Sequence, residues 1–524
     1  MRASSPRATF AERLGVDRTL LLQLAGLAVA AFLIRLVPML LTGGVRGFVD
    51  YDDGVYMGTA LALADGRVVY RDFPMLHPPG IVYVLSPFAA LSWLVSDSTA
   101  FAAARVGFMV LGGLNTFLVG LVGSRGGRST ALAAAAMYAV WIVAARVERS
   151  TWLIAPQTAL LLLALLALTY PRSEASPTVT WRKALLVGAL LGASCAIQIW
   201  GVVVAAVVFV WLLLRVWRQP GGWLRPMVAY ALGGIGAVAL AFLPFLAAAG
   251  EKMVRLVIFD QIGRGAGGPP IPNRIRAMEG LPSGFADLPL GGLIPIVIAV
   301  VVVVAVLWLA WRRPVVRLWV ALFLAQCGFL LVTPSYFGHY SGWMAAAAAL
   351  SIGGVAAALI ELPGLSVRAS RAVGAVYVAG LACLLVVAVW PRLVGFPRPS
   401  VPFPSRAVGE LIADARCPTS DNPTVLILTN TLQRVLNNGC PLLVSPTGVS
   451  YDTDRDLTGK DRTRPRQVEY QAIMRDYFSG SDAALFIRPA SALGLTEETW
   501  APIRARLPVE RQIGDLRIFL PAGN

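Results

Sequence analysis

The sequence predicts a polytopic α-helical membrane protein with a small α/β domain at its C-terminal end. Three observations carry that reading. The 524 residues are 57% hydrophobic and only 14% charged, with a mean hydropathy of +0.68, whereas soluble domains are about 45–50% apolar and about 25% charged. Apolar runs of roughly 20 residues, long enough to cross a bilayer, recur along most of the chain. After "WPRLVGFPRPSVPFPS" the hydropathy falls, and helix-like and strand-like segments alternate, the pattern of a packed α/β unit.

The formal net charge is +16. In a chain this apolar, the excess is read as basic cytoplasmic loops that set topology, so no nucleic-acid partner is expected. The N-terminal stretch is too polar for a signal peptide, and the first apolar run is read as a retained span at 20–41. Arg2, Arg7, Arg13 and Arg18 precede it and place the N-terminus in the cytoplasm. The first outer loop then covers 43–98. Its apolar piece 80–95 is short and carries Pro87. As a full span it would put the basic "GSRGGRS" outside. It is therefore read as a juxtamembrane helix, with 100–122 as the second span.

Further spans are expected at 129–145 and 152–170, then as a pair broken at "QIWG" (183–198 and 200–217), then at 226–249. A long outer loop occupies 250–290, and the last spans are 291–311, 315–333, 342–361 and 372–390. This gives about eleven crossings and a C-terminus outside the cytoplasm. The expected division is a transmembrane domain at 1–390, a Pro-rich linker at 391–404 and an extracytoplasmic α/β domain at 405–524. In that domain "RAVGELIADAR", "NTLQRVLNN", "RQVEYQAIMRDYF" and "TEETWAPIRARL" read as helices. "TVLILT", "PLLVS", "AALFIRP" and "GDLRIFLP" read as strands. It holds no P-loop and no nucleophile elbow. Cys195, Cys327 and Cys383 lie in apolar runs as small core residues. Cys417 and Cys440 lie in the polar part, where an oxidising compartment makes a disulfide between them reasonable.

Scarce charge is concentrated in one place. "FVDYDDGVYMGTALALADGRVVYRDFPMLHPPG", residues 48–80, holds five aspartates and one of the two histidines. A carboxylate at the membrane–water boundary can act as general base for a hydroxyl nucleophile. Solvated loop acids or a helix cap are the plainer alternative, in particular for Asp53.

The stretch resembles the first outer loop of the integral-membrane glycosyltransferases with the C-type fold (GT-C). The protein O-mannosyltransferase-like enzymes, the lipid A aminoarabinose transferases and related polyprenyl-phosphate-sugar transferases are the kin in view. Asp52 and Asp53 match the acidic pair after the first span, Tyr70, Arg71 and Asp72 match a middle element, and His77-Pro78-Pro79-Gly80 matches the start of an outer-face helix. The specific motif is confined to roughly residues 50–85. The resemblance implies a GT-C-like fold and transfer of a sugar, mannose or a pentose such as arabinose, from a polyprenyl-phosphate donor. The acceptor would be a glycan, lipid or protein of the cell envelope, reached on the outer face of the plasma membrane, with inversion.

That chemistry needs a base for the acceptor's proton and positive charge for the departing phosphate. By match to the family, Asp52 is the expected base and Asp53 its helper. Arg264, Arg274 and Arg276 in the outer loop, with His339, Tyr340 and His77, are candidates for the donor phosphate; headgroup contact is the plainer reading of the arginines and of His339-Tyr340, and capping of the Pro-Pro helix that of His77. Arg35 and Arg105 lie within spans, where an arginine calls for a partner or a function. Some relatives carry a second acid after a proline at the next helix. Here that place is Pro156-Gln157, so the acid is missing or has moved to Glu148. No cofactor is expected and no His/Asp cluster demands a metal, although a divalent ion stays open. Two other functions stay open as well: a transporter or flippase of a lipid-linked glycan, and a non-catalytic binding protein.

Overall fold

The computed structural model describes residues 16–169, 179–219, 221–262, 268–281, 290–360, 366, 368–370, 372–377, 403–453 and 463–523. Arg264, most of the expected last span and most of the linker lie outside the described residues.

The membrane part opens with α1 (Arg18–Leu41), whose Asp17 side chain caps the first turn by accepting from the Leu20 amide at 2.8 Å. Next come α2 (Tyr51–Ala64) and α3 (Gly80–Leu91) from the first loop, then the long α4 (Asp97–Gly123). The apolar piece after "HPPG" is a helix of 12 residues, too short to cross a bilayer upright at about 1.5 Å per residue. The helix expected at 129–145 breaks into α5 (Arg128–Val140) and α6 (Ile142–Val147), because Trp141 is extended and its indole N–H is drawn onto the Glu279 carbonyl. Then follow α7 (Ile154–Thr169), the broken pair α8 (Trp181–Ile197) and α9 (Gly201–Val216), and α10 (Leu224–Ala249). A short amphipathic α11 (Ile271–Glu279) precedes α12 (Ile294–Ala305), α13 (Arg317–Val332) and α14 (Ala345–Ile360).

Among the described residues four helical stretches are long and apolar enough to cross a membrane: Arg18–Leu41, Asp97–Gly126, Leu224–Ala249 and Gly338–Ile360. Large side chains stay exposed along them, such as Leu22 and Val29 on α1 and Leu232, Ile235 and Leu240 on α10. An apolar surface this extended has lipid, not water, as its solvent.

The C-terminal region contains α15 (Ser405–Leu411), α16 (Pro423–Leu428), α17 (Leu432–Asn437), α18 (Pro446–Thr453), α19 (Val468–Ser479) and α20 (Glu497–Arg506). Its strands β1 (Pro418–Ser420), β2 (Ala483–Phe486), β3 (Val509–Ile513) and β4 (Leu516–Leu520) form a sheet in the order β1-β2-β4-β3. β1 runs parallel to β2 and the other pairings are antiparallel. Tyr470, Met474, Phe478, Phe486, Trp500 and Phe519 fill a core of their own. Cys417 and Cys440 form a disulfide.

Two strand expectations are corrected. "TVLILT" is helical as α16: Pro423 starts it, the Asn422 side chain caps it at 2.8 Å, and every residue of it is buried. Burial on all sides erases the periodicity that separates helix from strand. "PLLVS" joins no strand among the described residues and leads into α18. The edge strand β3, largely polar, gave no apolar alternation to read.

This unit packs directly on the first loop, so the two share one end of the molecule. Tyr51 accepts at its carbonyl from Asn422 Nδ2 (3.2 Å), Cys440 accepts at its carbonyl from Arg67 (3.2 Å), and Asp97 accepts from the Gln433 amide (3.0 Å). Asp452 on α18 pairs with Lys252 and Arg255 at 2.7 and 2.6 Å. The closest approach is at Gly54, where an added Cβ would lie 2.9 Å from the Thr424 Cα. Gly54→Val is therefore expected to push α16 off α2, costing about 1–3 kcal/mol as overpacking does. Thermal unfolding in detergent should fall, and limited proteolysis should begin to separate residues 403–523 from the rest. Gly26→Ala, with nothing within 4 Å of the new atom, is the control that should change neither.

Candidate active site

The first turn of α2 sorts the three acids of "DYDDG" by direction. Asp50 is the N-cap: its backbone is extended and its carboxylate accepts from the Asp52 amide at 3.2 Å. Asp52 and Asp53 follow in the first helical turn, where the helix dipole favours negative charge. Successive residues on a helix point about 100° apart, so the two adjacent carboxylates separate. Asp53 turns inward and Asp52 outward.

Asp53 is fully buried and fully engaged on one oxygen. Its Oδ2 receives Arg105 Nη2 at 2.7 Å, Arg105 Nε at 3.1 Å and the Ser150 hydroxyl at 2.7 Å. Arg105 also donates through Nη1 to the carbonyls of Gly44, Val45 and Gly47 at 3.1, 3.0 and 2.8 Å, and lies 3.9 Å over the Phe101 ring. The pair ties the start of α2 and the preceding turn to α4, so both residues position the loop.

Asp52 keeps its side chain 34% exposed, and its Oδ2 lies 3.9 Å from His339 Nε2. That is longer than a hydrogen bond and is a span that one bridging hydroxyl covers. The imidazole is held by aromatics: the Trp152 ring at 4.6 Å and 33°, Phe337 at 5.9 Å and 10°, and Tyr340 edge-on at 4.7 Å. Tyr340 is buried, with its edge on Trp200 at 4.4 Å. The Trp152 indole N–H is buried with no hydrogen-bond acceptor.

The second loop supplies the cation. Burial, reinforced by the nearby Asp53 charge, raises the Asp50 carboxyl to about 6, and Arg146 pulls in the opposite direction. Arg146 thus lies near Asp50, and its charge is also felt at His339. It has no role in the sequence reading, which ended a span at 145 and singled out only Glu148 beyond it. An arginine at a span boundary was the signal available. Its neighbours Ser150 and Thr151 fix Asp53, the latter by donating to the Asp53 carbonyl at 3.0 Å.

The remaining candidates fall elsewhere. His77 is near: its ring meets the edge of Tyr56, one turn beyond Asp52 on α2, at 5.4 Å. Tyr70 holds the "HPPG" turn in place. It is buried at φ 68° and donates its hydroxyl to the His77 carbonyl at 2.6 Å. Gly80 then lets α3 start against the break between α8 and α9, since a Cβ would lie 2.8 Å from the Ile197 amide. Arg71 and Asp72 pair with each other at 2.7 Å on an exposed turn, where Asp72 also accepts from the Val68 amide.

Arg35 and Glu148 find each other across 113 residues. Both are fully buried, 2.6 Å apart, and the Glu148 carboxylate also receives Asn115 at 2.6 Å and the Tyr138 hydroxyl at 2.7 Å. Glu148 is committed to this internal network and does not reach Asp52's rim as a second acid. Arg274, expected at the donor phosphate, instead caps the end of α13. It donates to the carbonyls of Leu330, Leu331 and Thr333 and, through Nε, to Pro269. Arg276 is half-buried on α11. Among the described residues no three His, Cys, Asp or Glu side chains group as metal ligands.

No protein-family model and no curated protein matches the sequence. Solved structures do match. The oligosaccharyltransferase AglB from Archaeoglobus fulgidus, in complex with an inhibitory peptide and a dolichol-phosphate, aligns at TM-score 0.51 and 11% identity over 91% of this chain and 70% of its own. ArnT from Cupriavidus metallidurans bound to undecaprenyl phosphate aligns at TM-score 0.48 and 14% identity, over 94% and 98%. The S. cerevisiae protein O-mannosyltransferase Pmt1-Pmt2 complex aligns at TM-score 0.37 and 18% identity, over 45% of this chain and about a third (34%) of that one. At these identities the likeness concerns fold: the chain has the GT-C fold of integral-membrane glycosyltransferases.

Proposed function

We propose that the chain is a membrane glycosyltransferase. It moves a sugar, mannose or a pentose such as arabinose, from a polyprenyl-phosphate donor to a hydroxyl of a cell-envelope acceptor. The reaction takes place at the outer face, at the end of the molecule shared by the first loop and the C-terminal unit, and inverts the anomeric centre. The observation that carries this reading is Asp52, the acid of the first helical turn left accessible, 3.9 Å from His339.

Each group has a role that its surroundings support. Asp52 takes the acceptor proton as the hydroxyl attacks the anomeric carbon. The bond to the lipid phosphate breaks, and the phosphate leaves with its negative charge balanced by Arg146, a residue suited to phosphate because it stays charged. His339 sits where it can donate to a sugar or phosphate oxygen. The buried Trp152 N–H has no protein acceptor and can donate to an oxygen of the ligand. The aromatic faces around His339 form an apolar floor for a sugar ring.

The test is lipid and glycan profiling of a deletion strain, with purified protein assayed on polyprenyl-phosphate mannose and polyprenyl-phosphate arabinose. One sugar should vanish from one envelope glycan, and the matching donor should yield polyprenyl phosphate only when acceptor is present. A lipid-linked glycan trapped on the inner leaflet, with no donor turnover in vitro, would replace this reading by the flippase one.

A further inference from the structure

We propose that the chain carries a second ligand site, separate from Asp52: a cavity among the helices that holds a single-chain lipid alcohol, its hydroxyl paired with Glu279. The cavity measures about 490 Å³ and lies between α5, α11, α12, α13 and α14, with Met137, Met278, Val302, Phe323 and Ile352 among its walls. That volume lies within the roughly 300–1,000 Å³ usual for small-molecule sites. Among the described residues that line it, Glu279 is the one carboxylic acid, and Tyr377 adds a phenol hydroxyl.

Glu279 is held there by its backbone. Its carbonyl accepts the Trp141 indole N–H at 2.9 Å, and Gly280 ends α11 in the left-handed conformation at φ 78°. Yet both carboxyl oxygens are buried with no well-formed hydrogen bond, the Ala299 amide of α12 being the backbone group that faces them. Leaving a buried polar group short of partners is costly, so a partner entering the cavity recovers that cost. Burial raises the carboxyl to about 8, so at neutral pH it is largely the neutral acid.

The chemistry of the head follows. A neutral carboxyl offers one donor and acceptor oxygens, and an alcohol hydroxyl offers the same complement, so the two satisfy each other. A phosphate or a carboxylate would need a cation, and among the described residues none lines the cavity. An ammonium would bring three donors, of which a lone acid serves one or two. The tail is set by the walls, which apart from Glu279 and the Tyr377 hydroxyl are largely apolar. The route is the bilayer, since α12 turns Val297, Val300, Val301 and Val304 outward. The cavity shares no lining residue with the Asp52–His339 rim, so its occupant is not the attacking hydroxyl and the site stands without the transferase reading.

The experiment uses the full chain in phosphatidylcholine nanodiscs with a diazirine-bearing hexadecanol, and maps labelled peptides by mass spectrometry. Label should fall on α12 and α14 at the cavity and be competed by hexadecanol at concentrations at least tenfold lower than by palmitate or hexadecylamine. Glu279→Gln, which keeps a donor and an acceptor, should retain labelling, and Glu279→Ala should lose it at least tenfold. Equal competition by palmitate, better competition by hexadecylamine, or label spread evenly over the lipid-facing sides of α1 and α10 would each overturn the proposal. The competition order in the unmodified protein decides the matter even if Glu279→Ala fails to fold.

Discussion

Asp52→Asn is expected to lower sugar transfer by about 10²–10⁴-fold, the range for removing a general base, while the thermal unfolding of the protein in detergent stays unchanged. The side chain is 34% exposed and asparagine matches aspartate in size, so the isosteric amide disturbs little packing. Asp50→Asn separates charge from structure, because asparagine caps a helix about as well as aspartate. The Asp50 carboxyl is raised to about 6 by burial and by Asp53. It is therefore mostly ionised at pH 7 and becomes protonated as the pH falls through 6, losing its attraction for Arg146. Wild-type kcat/KM should fall across that window. The Asp50→Asn variant should be slower than wild type at pH 7 and flatter below it. Full activity of the Asp52→Asn variant would remove Asp52 as the base, and an unchanged acid limb in the Asp50→Asn variant would detach that limb from Asp50.

The sequence drew attention to the first loop, where the candidate site lies, and left much of its wiring unreadable. The first loop stood out because charge is expensive in so apolar a chain. The helix after "HPPG" could be read as not spanning, from its length and from the loop that follows it. The break at "QIWG" is where α8 and α9 part, and Gly80 packs against it. Which acid faces in and which faces out was not readable: adjacent carboxylates differ only in helical phase relative to α4, and the phase is fixed by Arg105 52 residues away. Arg35 was correctly marked as needing a partner, but Glu148 lies 113 residues on, and no local pattern links them. Arg274 looked like a phosphate ligand because a loop arginine and a helix-capping arginine have the same sequence appearance. The difference is the set of carbonyls at the end of α13, a tertiary fact.

Removing either member of the buried Asp53–Arg105 pair should destabilise the protein by about 3–5 kcal/mol, because the survivor is left as a buried charge without its counterion. The two single variants should differ. In Asp53→Asn the guanidinium keeps three backbone carbonyls and the Phe101 ring. In Arg105→Met the Asp53 carboxylate keeps one hydroxyl donor, Ser150, and its other oxygen has none. Arg105→Met should therefore be the more damaging, and the double variant should be more stable than Arg105→Met alone, since no uncompensated charge remains. Thermal unfolding in detergent measures all three. Transfer activity adds a second readout: the double variant should stay impaired although it regains stability, because the start of α2, and with it Asp52, is no longer tied to α4 through that pair. Equal stability of the two single variants would mean that the carbonyl cage contributes nothing to Arg105. Recovery of wild-type transfer in the double variant would mean that the position of Asp52 is set by the C-terminal unit alone, through Tyr51 and Asn422.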